Sequence, residues 1–181
     1  MNKILLGVSG SIAAYKAADI ANNLSAQKND VFVVMTRAAI KFIAPLTFQT
    51  LTRNRVITDV FQEDEPSRIA HIDLPQSCDF FLIAPATANI MAKICSGIAD
   101  DTLSTMALAT SCANRFIAPA MNTMMFQNPV TQKNIETLKI LGWKIIPPRT
   151  SRLACGTMGQ GAMAKVDDII ERIERADRRV I

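Results

Sequence analysis

The sequence predicts an α/β fold in which one doubly wound parallel sheet is flanked by helices. Short, continuously apolar runs rich in branched residues alternate with amphipathic stretches along the 181 residues. A continuous apolar run indicates a strand covered on both faces, and strand–helix alternation favours parallel pairing. No internal repeat or linker interrupts the alternation, so a single Rossmann-like domain is predicted over residues 1–181.

The amino-terminal third contains two predicted strands, each followed by a helix. Lys3–Val8 is an apolar run closed by a Ser-Gly-Ser turn, and residues 12–25 carry apolar side chains at helical spacing. The second strand covers residues 31–35. Thr36 follows it at an N-cap position, which predicts a short helix ending at Phe42.

The remaining elements follow the same pattern. Predicted strands cover residues 80–84, 115–118 and 143–146, and a helix covers 87–95. The last predicted helix covers residues 166–175, and two aspartates near its start suit the positive end of a helix dipole.

Charge and cysteine content exclude several function classes. The net charge of +4 is too small to imply nucleic-acid binding, although it is compatible with anionic small molecules. Four cysteines and one histidine, without a CxxC pair, do not support a zinc site, so no metal is predicted. Without a signal-peptide pattern or a membrane-length apolar run, a cytoplasmic protein with reduced thiols is expected.

Unusual short motifs follow the predicted strands, at the edge where parallel α/β sheets bind ligands. The first, VSGSIAAYK at residues 8–16, offers backbone N–H groups and hydroxyls at a helix N-terminus, where a phosphate is favoured. It matches neither the dinucleotide fingerprint nor the P-loop, and a plain capped turn is the alternative. Thr36 could add a hydroxyl to the same ligand or act only as a cap.

Two further motifs contain proline and small residues. In PATANI, at residues 85–90, Thr87 and Asn89 offer hydrogen bonds, with an ordinary capped loop as the alternative. In PAMNTMMF, at residues 119–126, the Asn122 amide suits recognition of a carboxylate or amide. The adjacent Met124 and Met125 are expected to fill the core.

The last motif, residues 154–164, contains three glycines, which argue against regular structure and for a mobile flap. Such a flap would make Cys155 accessible for chemistry. Cys78, Cys95 and Cys112 lie in or beside apolar segments and are expected to be inert core residues. A lone histidine such as His71 is more often structural or exposed than catalytic.

The order and spacing of these motifs together resemble the flavin-dependent, homo-oligomeric cysteine decarboxylase family. The matching motifs are GSIAAYK at 10–16, HIDL at 71–74, PATAN at 85–89, PAMN at 119–122 and ACG at 154–156. The resemblance implies a flavoprotein with His71 beside the flavin and substrate, Asn122 on the substrate, and Cys155 as a proton donor. It also implies an FMN site formed by Gly10, Ser11, Ile12, Thr36, Thr87, Ala88 and Asn89.

The implied reaction is decarboxylation of 4′-phosphopantothenoylcysteine to 4′-phosphopantetheine in coenzyme A biosynthesis. FMN would oxidise the substrate to a thioaldehyde, and loss of CO2 would leave an enethiolate. The family forms homotrimers, some assembled into dodecamers, and is often fused to a phosphopantothenoylcysteine synthetase. The chain is therefore expected to be a stand-alone enzyme or the first domain of a bifunctional protein, with no nucleic-acid or membrane partner.

Five positions depart from commoner forms of the motifs and bear on flavin contact and flap closure: Thr87, Ile90, Asp101, Phe126 and Thr157.

Two alternative functions remain open. The first is decarboxylation of peptidyl cysteine, as in lantibiotic-modifying relatives. The second is a non-catalytic flavin-binding regulatory subunit.

Overall fold

Six parallel strands form the central sheet of the computed structural model, which describes residues 1–61, 69–152 and 158–177. The strand order is β3-β2-β1-β4-β5-β6, which confirms the predicted doubly wound sheet. The strands are β1 (Lys3–Val8), β2 (Asp30–Met35), β3 (Val56–Ile57), β4 (Phe80–Ala86), β5 (Asn114–Pro119) and β6 (Trp143–Ile145). A separate antiparallel hairpin consists of β7 (Arg149–Arg152) and β8 (Met158–Ala162).

Helices cover both faces of the sheet. One face carries α1 (Ala14–Ala26), α2 (Arg37–Ile40), α3 (Pro45–Thr52) and α9 (Val166–Asp177). The other carries α4 (Ala70–Ser77), α5 (Ala88–Ser96), α6 (Thr102–Ala109), α7 (Thr123–Gln127) and α8 (Pro129–Ile140). Within the described ranges, no helix is long and apolar enough to span a membrane.

The apolar runs form the centre of two cores, one on each face of the sheet. Along β1, Ile4 and Leu6 belong to the core beneath α1 and α9, whereas Leu5 belongs to the opposite core. All seven residues of β4 are buried. Strands buried on both faces explain why the runs are continuous rather than alternating.

The first helix begins two residues later than predicted. Residues 12 and 13 form a turn in which the Ala14 N–H donates to the Ser11 carbonyl at 2.9 Å. The Ser11 hydroxyl accepts from the Ala13 N–H at 3.2 Å. The Ser-Gly-Ser segment therefore continues as a turn to Ala13 before the helix starts.

The prediction that the glycine-rich segment lacks regular structure is wrong for residues 158–162. These residues form β8, which pairs with β7. Glycine allows the strand to lie against α7, because a Cβ on Gly159 would lie 3.1 Å from the Thr123 Cβ. Gly161 has a φ of +141°, and its carbonyl accepts from the Met121 N–H at 2.9 Å.

The sulfur-containing side chains differ in how deeply they are buried. Met124 and Met125 are 74% and 49% exposed, so the prediction that they fill the core is wrong. Both belong to α7, a short helix with only Phe126 buried, which leaves their side chains on its outer surface. Cys78 and Cys112 are buried as predicted, whereas Cys95 is only partly buried.

Candidate cofactor-binding site

A cavity of about 770 Å³ opens at the carboxyl edge of the sheet. It lies where strand order reverses between β1 and β4, the place where α/β sheets bind ligands. Segments that follow β1, β2, β3, β4 and β5 all contribute to its lining. The lining residues that bear on the site are Ser9, Gly10, Ser11, Thr36, Arg37, Thr87, Ala88, Asn89, Lys93, Asp100, Asp101, Met121 and Met125.

Ser9 joins the segment after β1 to the segment after β4. Its hydroxyl donates to the Pro85 carbonyl at 2.7 Å and accepts from the Thr87 N–H at 3.0 Å. The Ser9 N–H also donates to the Pro85 carbonyl, at 3.2 Å. Ser9 is only 2% exposed, and its hydrogen bonds hold two walls of the cavity together.

Threonine hydroxyls cap the two helices that border the cavity. Thr36 accepts from the Ala39 N–H at 3.2 Å, and Thr87 accepts from the Ile90 N–H at 3.3 Å. Both contacts use the oxygen as an acceptor, as an N-cap does. The caps orient the hydroxyls and the first backbone N–H groups of α5 at the cavity, where an anionic or hydrogen-bonding ligand would be stabilised.

Glycine is required at position 10 because the segments that follow β1 and β2 pack closely against each other. A Cβ at Gly10 would collide with the Cβ of Ala38 and lie 3.0 Å from the Ala38 carbonyl carbon. The two walls therefore meet with no room for a side chain between them. Both residues line the cavity.

An ion-pair cluster of Lys93, Asp100 and Asp101 also lines the cavity. The Lys93 ammonium lies 2.5 Å from Asp100 and 2.6 Å from Asp101. Burial opposes the charge of Lys93, but hydrogen bonds to both carboxylates raise its pKa. The hydrogen bond from Lys93 lowers the pKa of Asp100. Asp101 also caps α6 by accepting from the Ser104 N–H at 2.9 Å.

Sequence reasoning named Asp101 only as a departure from the commoner motif and missed its ion pair with Lys93. The spacing of Asp101 and Ser104 signals a helix cap, which the structure contains as a reciprocal capping box. Lys93 carries no comparable local signal, because its partners lie seven and eight residues away in a loop. Only the fold brings the three charges together.

Six of the predicted cofactor-binding residues line the cavity: Gly10, Ser11, Thr36, Thr87, Ala88 and Asn89. Ile12 is not part of the lining and is 59% exposed. The predicted catalytic Cys155 and the neighbouring Thr157 lie outside the described residues, as does the tip of the predicted flap.

His71 and Asn122 do not line the cavity. His71 is in the first turn of α4, which runs antiparallel to the strands, so this turn faces the carboxyl edge. Asn122 caps α7 and accepts from the Met124 N–H at 2.8 Å. The flanking Met121 and Met125 do line the cavity, so the Asn122 segment borders the site.

The fold and the site define a class: α/β proteins that bind a nucleotide-like ligand at the switch point of a doubly wound sheet. The chain belongs to the Flavoprotein family, whose sequence profile matches residues 1–176.

Two curated relatives match over nearly the whole chain. A probable phosphopantothenoylcysteine decarboxylase of Streptococcus mutans is 51% identical over 173 residues, covering 95% of this chain and 97% of the relative. The coenzyme A biosynthesis bifunctional protein CoaBC of Bacillus subtilis is 44% identical over 172 residues. That alignment covers 95% of this chain but only 42% of the bifunctional protein.

Solved structures agree with the sequence comparison. A cysteine-to-serine mutant of PPC decarboxylase complexed with pantothenoylaminoethenethiol superposes with a TM-score of 0.87 at 30% identity, covering 98% of both chains. The FMN-dependent cysteine decarboxylase SpaF superposes with a TM-score of 0.82 at 29% identity, covering 95% of this chain and 94% of its own.

Proposed function

We propose that this chain is an FMN-dependent decarboxylase that converts 4′-phosphopantothenoylcysteine to 4′-phosphopantetheine in coenzyme A biosynthesis. The observation that carries the proposal is the 51% identity to a probable phosphopantothenoylcysteine decarboxylase, over 95% of this chain and 97% of that relative. The structural likeness to PPC decarboxylase covers 98% of the chain.

The cavity fits FMN in size and in chemistry. Its volume of about 770 Å³ lies in the range of small-molecule and cofactor sites, which is roughly 300 to 1,000 Å³. In the turn before α1, the Ser11 N–H already donates to the Ser9 carbonyl at 2.9 Å, so the Ser11 hydroxyl is the donor that this residue offers to a phosphate. Thr36, Thr87 and Asn89 add polar groups that suit the ribityl and ring heteroatoms of the cofactor.

When bound, FMN supplies the oxidation of the substrate's thiol-bearing carbon to a thioaldehyde, which accepts the electrons left by departing CO2. The protein residues bind and orient the substrate and control its protons. Asn122 is proposed to bind the substrate carboxylate and amide, with His71 beside the reacting carbon. Cys155 is proposed to donate a proton to the enethiolate carbon in the final step.

We also propose a homotrimer, whose assembly would complete the site. Neither His71 nor Asn122 lines the cavity within one chain. Several large apolar side chains are exposed close to it, among them Ile12, Tyr15, Phe61 and Met124, which are 57–90% exposed. A neighbouring subunit placed on these side chains would bury them and bring its own residues to the site. Light scattering on the purified protein measures the number of chains directly.

The proposed domain covers the whole chain, and its proposed location is the cytoplasm. The three described cysteines are free thiols, which supports a reducing compartment. The bifunctional relatives support a functional link to a synthetase that makes the substrate.

A flavin and substrate assay tests the function. Purified protein should show the visible absorption of oxidised flavin and release CO2 from phosphopantothenoylcysteine without an added oxidant, because the net redox change is zero. The Cys155→Ser variant should still release CO2 but accumulate the enethiol. Colourless protein that does not take up FMN would contradict the proposal.

The same assay distinguishes the alternatives. A peptide with a carboxy-terminal cysteine serves as the second substrate, since SpaF belongs to the FMN-dependent cysteine decarboxylases. Turnover of the peptide alone would assign the chain to peptide modification. Tight FMN binding without turnover of either substrate would assign it to a non-catalytic role.

A further inference from the structure

Strand β8 is anchored in the core at its carboxyl end. Met163 and Ala164, which follow the strand directly, are buried in the core beneath α1 and α9. The Arg149 Nε, on the other strand of the hairpin, donates to the Met163 carbonyl at 3.3 Å. Close packing in the core therefore holds β8 at a fixed position relative to the sheet.

The residues on either side of Asn122 both contact β8. Before Asn122, the Met121 N–H donates to the Gly161 carbonyl at 2.9 Å. After Asn122, Thr123 packs against Gly159. A Cβ at Gly159 would lie 3.1 Å from the Thr123 Cβ and 3.2 Å from its Cγ2, and it would collide with the Thr123 Oγ1. Strand β8 thus holds the backbone of Asn122 from both sides, while the Asn122 side chain is exposed.

The Thr123 hydroxyl has a packing function in this contact. Its oxygen is buried and has no hydrogen-bond partner among the residues that the structure describes. A buried hydroxyl without a partner has lost its hydrogen bonds to water, so it adds no stability through hydrogen bonding. Its place against Gly159 instead makes it the atom that sets how closely α7 approaches β8.

The Asn122 side chain follows the position of α7. Its Oδ1 accepts from the Met124 N–H at 2.8 Å, and the Asn122 carbonyl accepts from the Phe126 N–H at 2.9 Å. Both bonds join Asn122 to the helix that it caps. A displacement of α7 away from β8 therefore moves the Asn122 amide with it.

We propose that Thr123 and Gly159 are positioning residues for the substrate, because their contact sets the position of the Asn122 amide. The inference rests on the proposed function, in which Asn122 binds the substrate carboxylate and amide. Neither Thr123 nor Gly159 lines the cavity, so both act through Asn122. The separation between α7 and β8 then determines the affinity for substrate.

Gly159→Ala tests the contact, and Thr123→Ala should reverse its effect. The added methyl group collides with the Thr123 hydroxyl, so α7 must shift, and we expect the KM for phosphopantothenoylcysteine to rise about tenfold or more. FMN affinity should stay within about threefold of wild type. In the double variant, alanine at position 123 removes the Oγ1 and Cγ2 that the methyl group meets, so KM should return to within about threefold of wild type.

Thr123→Val is the matched control, because valine keeps both branches of the side chain and loses only the hydroxyl. Alone, it should leave KM within about threefold of wild type, since the hydroxyl has no described partner. Combined with Gly159→Ala, it should not lower the raised KM. Rescue by valine as complete as that by alanine would overturn the proposal. A wild-type KM in Gly159→Ala would also overturn it.

Thr123→Ala alone carries the test if Gly159→Ala impairs folding. It opens a gap instead of a clash, so α7 can move toward β8, and KM should rise several-fold. Urea unfolding and FMN titration of the same variant report on the fold and the cofactor site. A Thr123→Ala protein that unfolds at lower urea concentration but keeps the wild-type KM would show a structural contact only and overturn the positioning role.

An NMR measurement separates this inference from the proposed function. The side-chain amide resonance of Asn122, recorded on ¹⁵N-labelled, FMN-loaded protein without substrate, should shift in Gly159→Ala. It should return toward its wild-type position when Thr123→Ala is added. An unshifted resonance in Gly159→Ala would overturn the inference. Absence of turnover by the wild-type protein would instead overturn the proposed function, and the resonance would still report whether β8 positions Asn122.

Discussion

The two edges of the parallel sheet use polar side chains in different ways. At the amino edge, polar groups of one loop bond to the backbone of another: Thr110 binds the Pro75 carbonyl, and the Asp79 carboxylate accepts from the Lys3 N–H at 2.7 Å. At the carboxyl edge, Thr36 and Thr87 cap helices beside an open cavity. Polar groups therefore fasten loops together at the amino edge and border a ligand site at the carboxyl edge.

This difference leads to a general expectation for the two edges. Substitutions at the amino edge should change the free energy of unfolding without changing FMN affinity. Substitutions at the carboxyl edge should change both, because the same hydrogen bonds hold the walls and shape the cavity. The following variants test that separation.

Gly10→Ala should have the largest effect. The new Cβ would lie 3.0 Å from the backbone carbonyl carbon of Ala38, so the segments after β1 and β2 must move apart. We expect FMN affinity to fall at least tenfold, as measured by fluorescence titration, and the free energy of unfolding to fall by about 2 kcal/mol.

Gly97→Ala is the control for Gly10→Ala. Gly97 has a φ of +67° and no atom within 4 Å of the added Cβ, so only backbone strain of about 1 kcal/mol is expected. Equal loss of FMN binding in both variants would show that the Gly10–Ala38 contact is not what shapes the cavity.

Ser9→Ala should weaken the link between the segment after β1 and the segment after β4. The substitution leaves the partly buried Thr87 N–H without its 3.0 Å acceptor, at a cost of about 1 kcal/mol. FMN affinity should fall several-fold as the Thr87 segment loosens. Ser11→Ala, which removes only the 3.2 Å contact to the Ala13 N–H, should cost less in urea unfolding. A larger loss of stability for Ser11→Ala would contradict this assignment.

Thr110→Val tests the amino edge. It removes the bond to the Pro75 carbonyl and the acceptor of the Cys112 N–H, at 2.9 and 3.1 Å, while keeping the side-chain shape. We expect the free energy of unfolding to fall by about 1 to 2 kcal/mol and FMN affinity to remain within twofold of wild type. A large loss of FMN affinity would break the separation between the two edges.

The sequence predicted the fold well because its strands are buried on both faces. Continuous apolar runs such as Lys3–Val8 can be identified as strands from the sequence alone. The helix caps at Thr36 and Thr87 are also local sequence signals, and the structure confirms both. The hairpin strand Met158–Ala162 was not predicted, because Gly159 is required by its close packing against α7. Local residue propensities carry no information about such a tertiary contact.

The site was predictable to the extent that it consists of short segments directly after strands. Gly10 and Asn89 fall in such segments and line the cavity. Lys93 lies on the helix behind the loop, and its neighbours in space come from a different loop. Sequence spacing alone cannot predict a contact that depends on how two segments fold against each other.

Lys93→Met should have a small effect on stability and a characteristic pH dependence. Because Asp100 is 60% exposed, solvent screens its attraction to Lys93, and we expect a smaller loss of stability at pH 7 than for Thr110→Val. The pKa of Lys93 is raised in the folded state, so its contribution is present at neutral pH and is lost as pH rises through that pKa in the alkaline range. The pKa of Asp100 is lowered, so its contribution is present at neutral pH and is lost as pH falls through that pKa in the acid range.

Asp101→Asn separates the charge of the cluster from the helix cap. Asparagine keeps the oxygen that accepts from the Ser104 N–H at 2.9 Å but replaces the oxygen that faces Lys93. Lys93 retains Asp100, so we expect a loss of about 0.5 kcal/mol in urea unfolding at pH 7, smaller than for Lys93→Met. Asp101→Ala, which removes the cap as well, should cost about 1 kcal/mol more than Asp101→Asn. Equal losses for the two Asp101 variants would show that the ion pair, rather than the cap, holds this wall of the cavity.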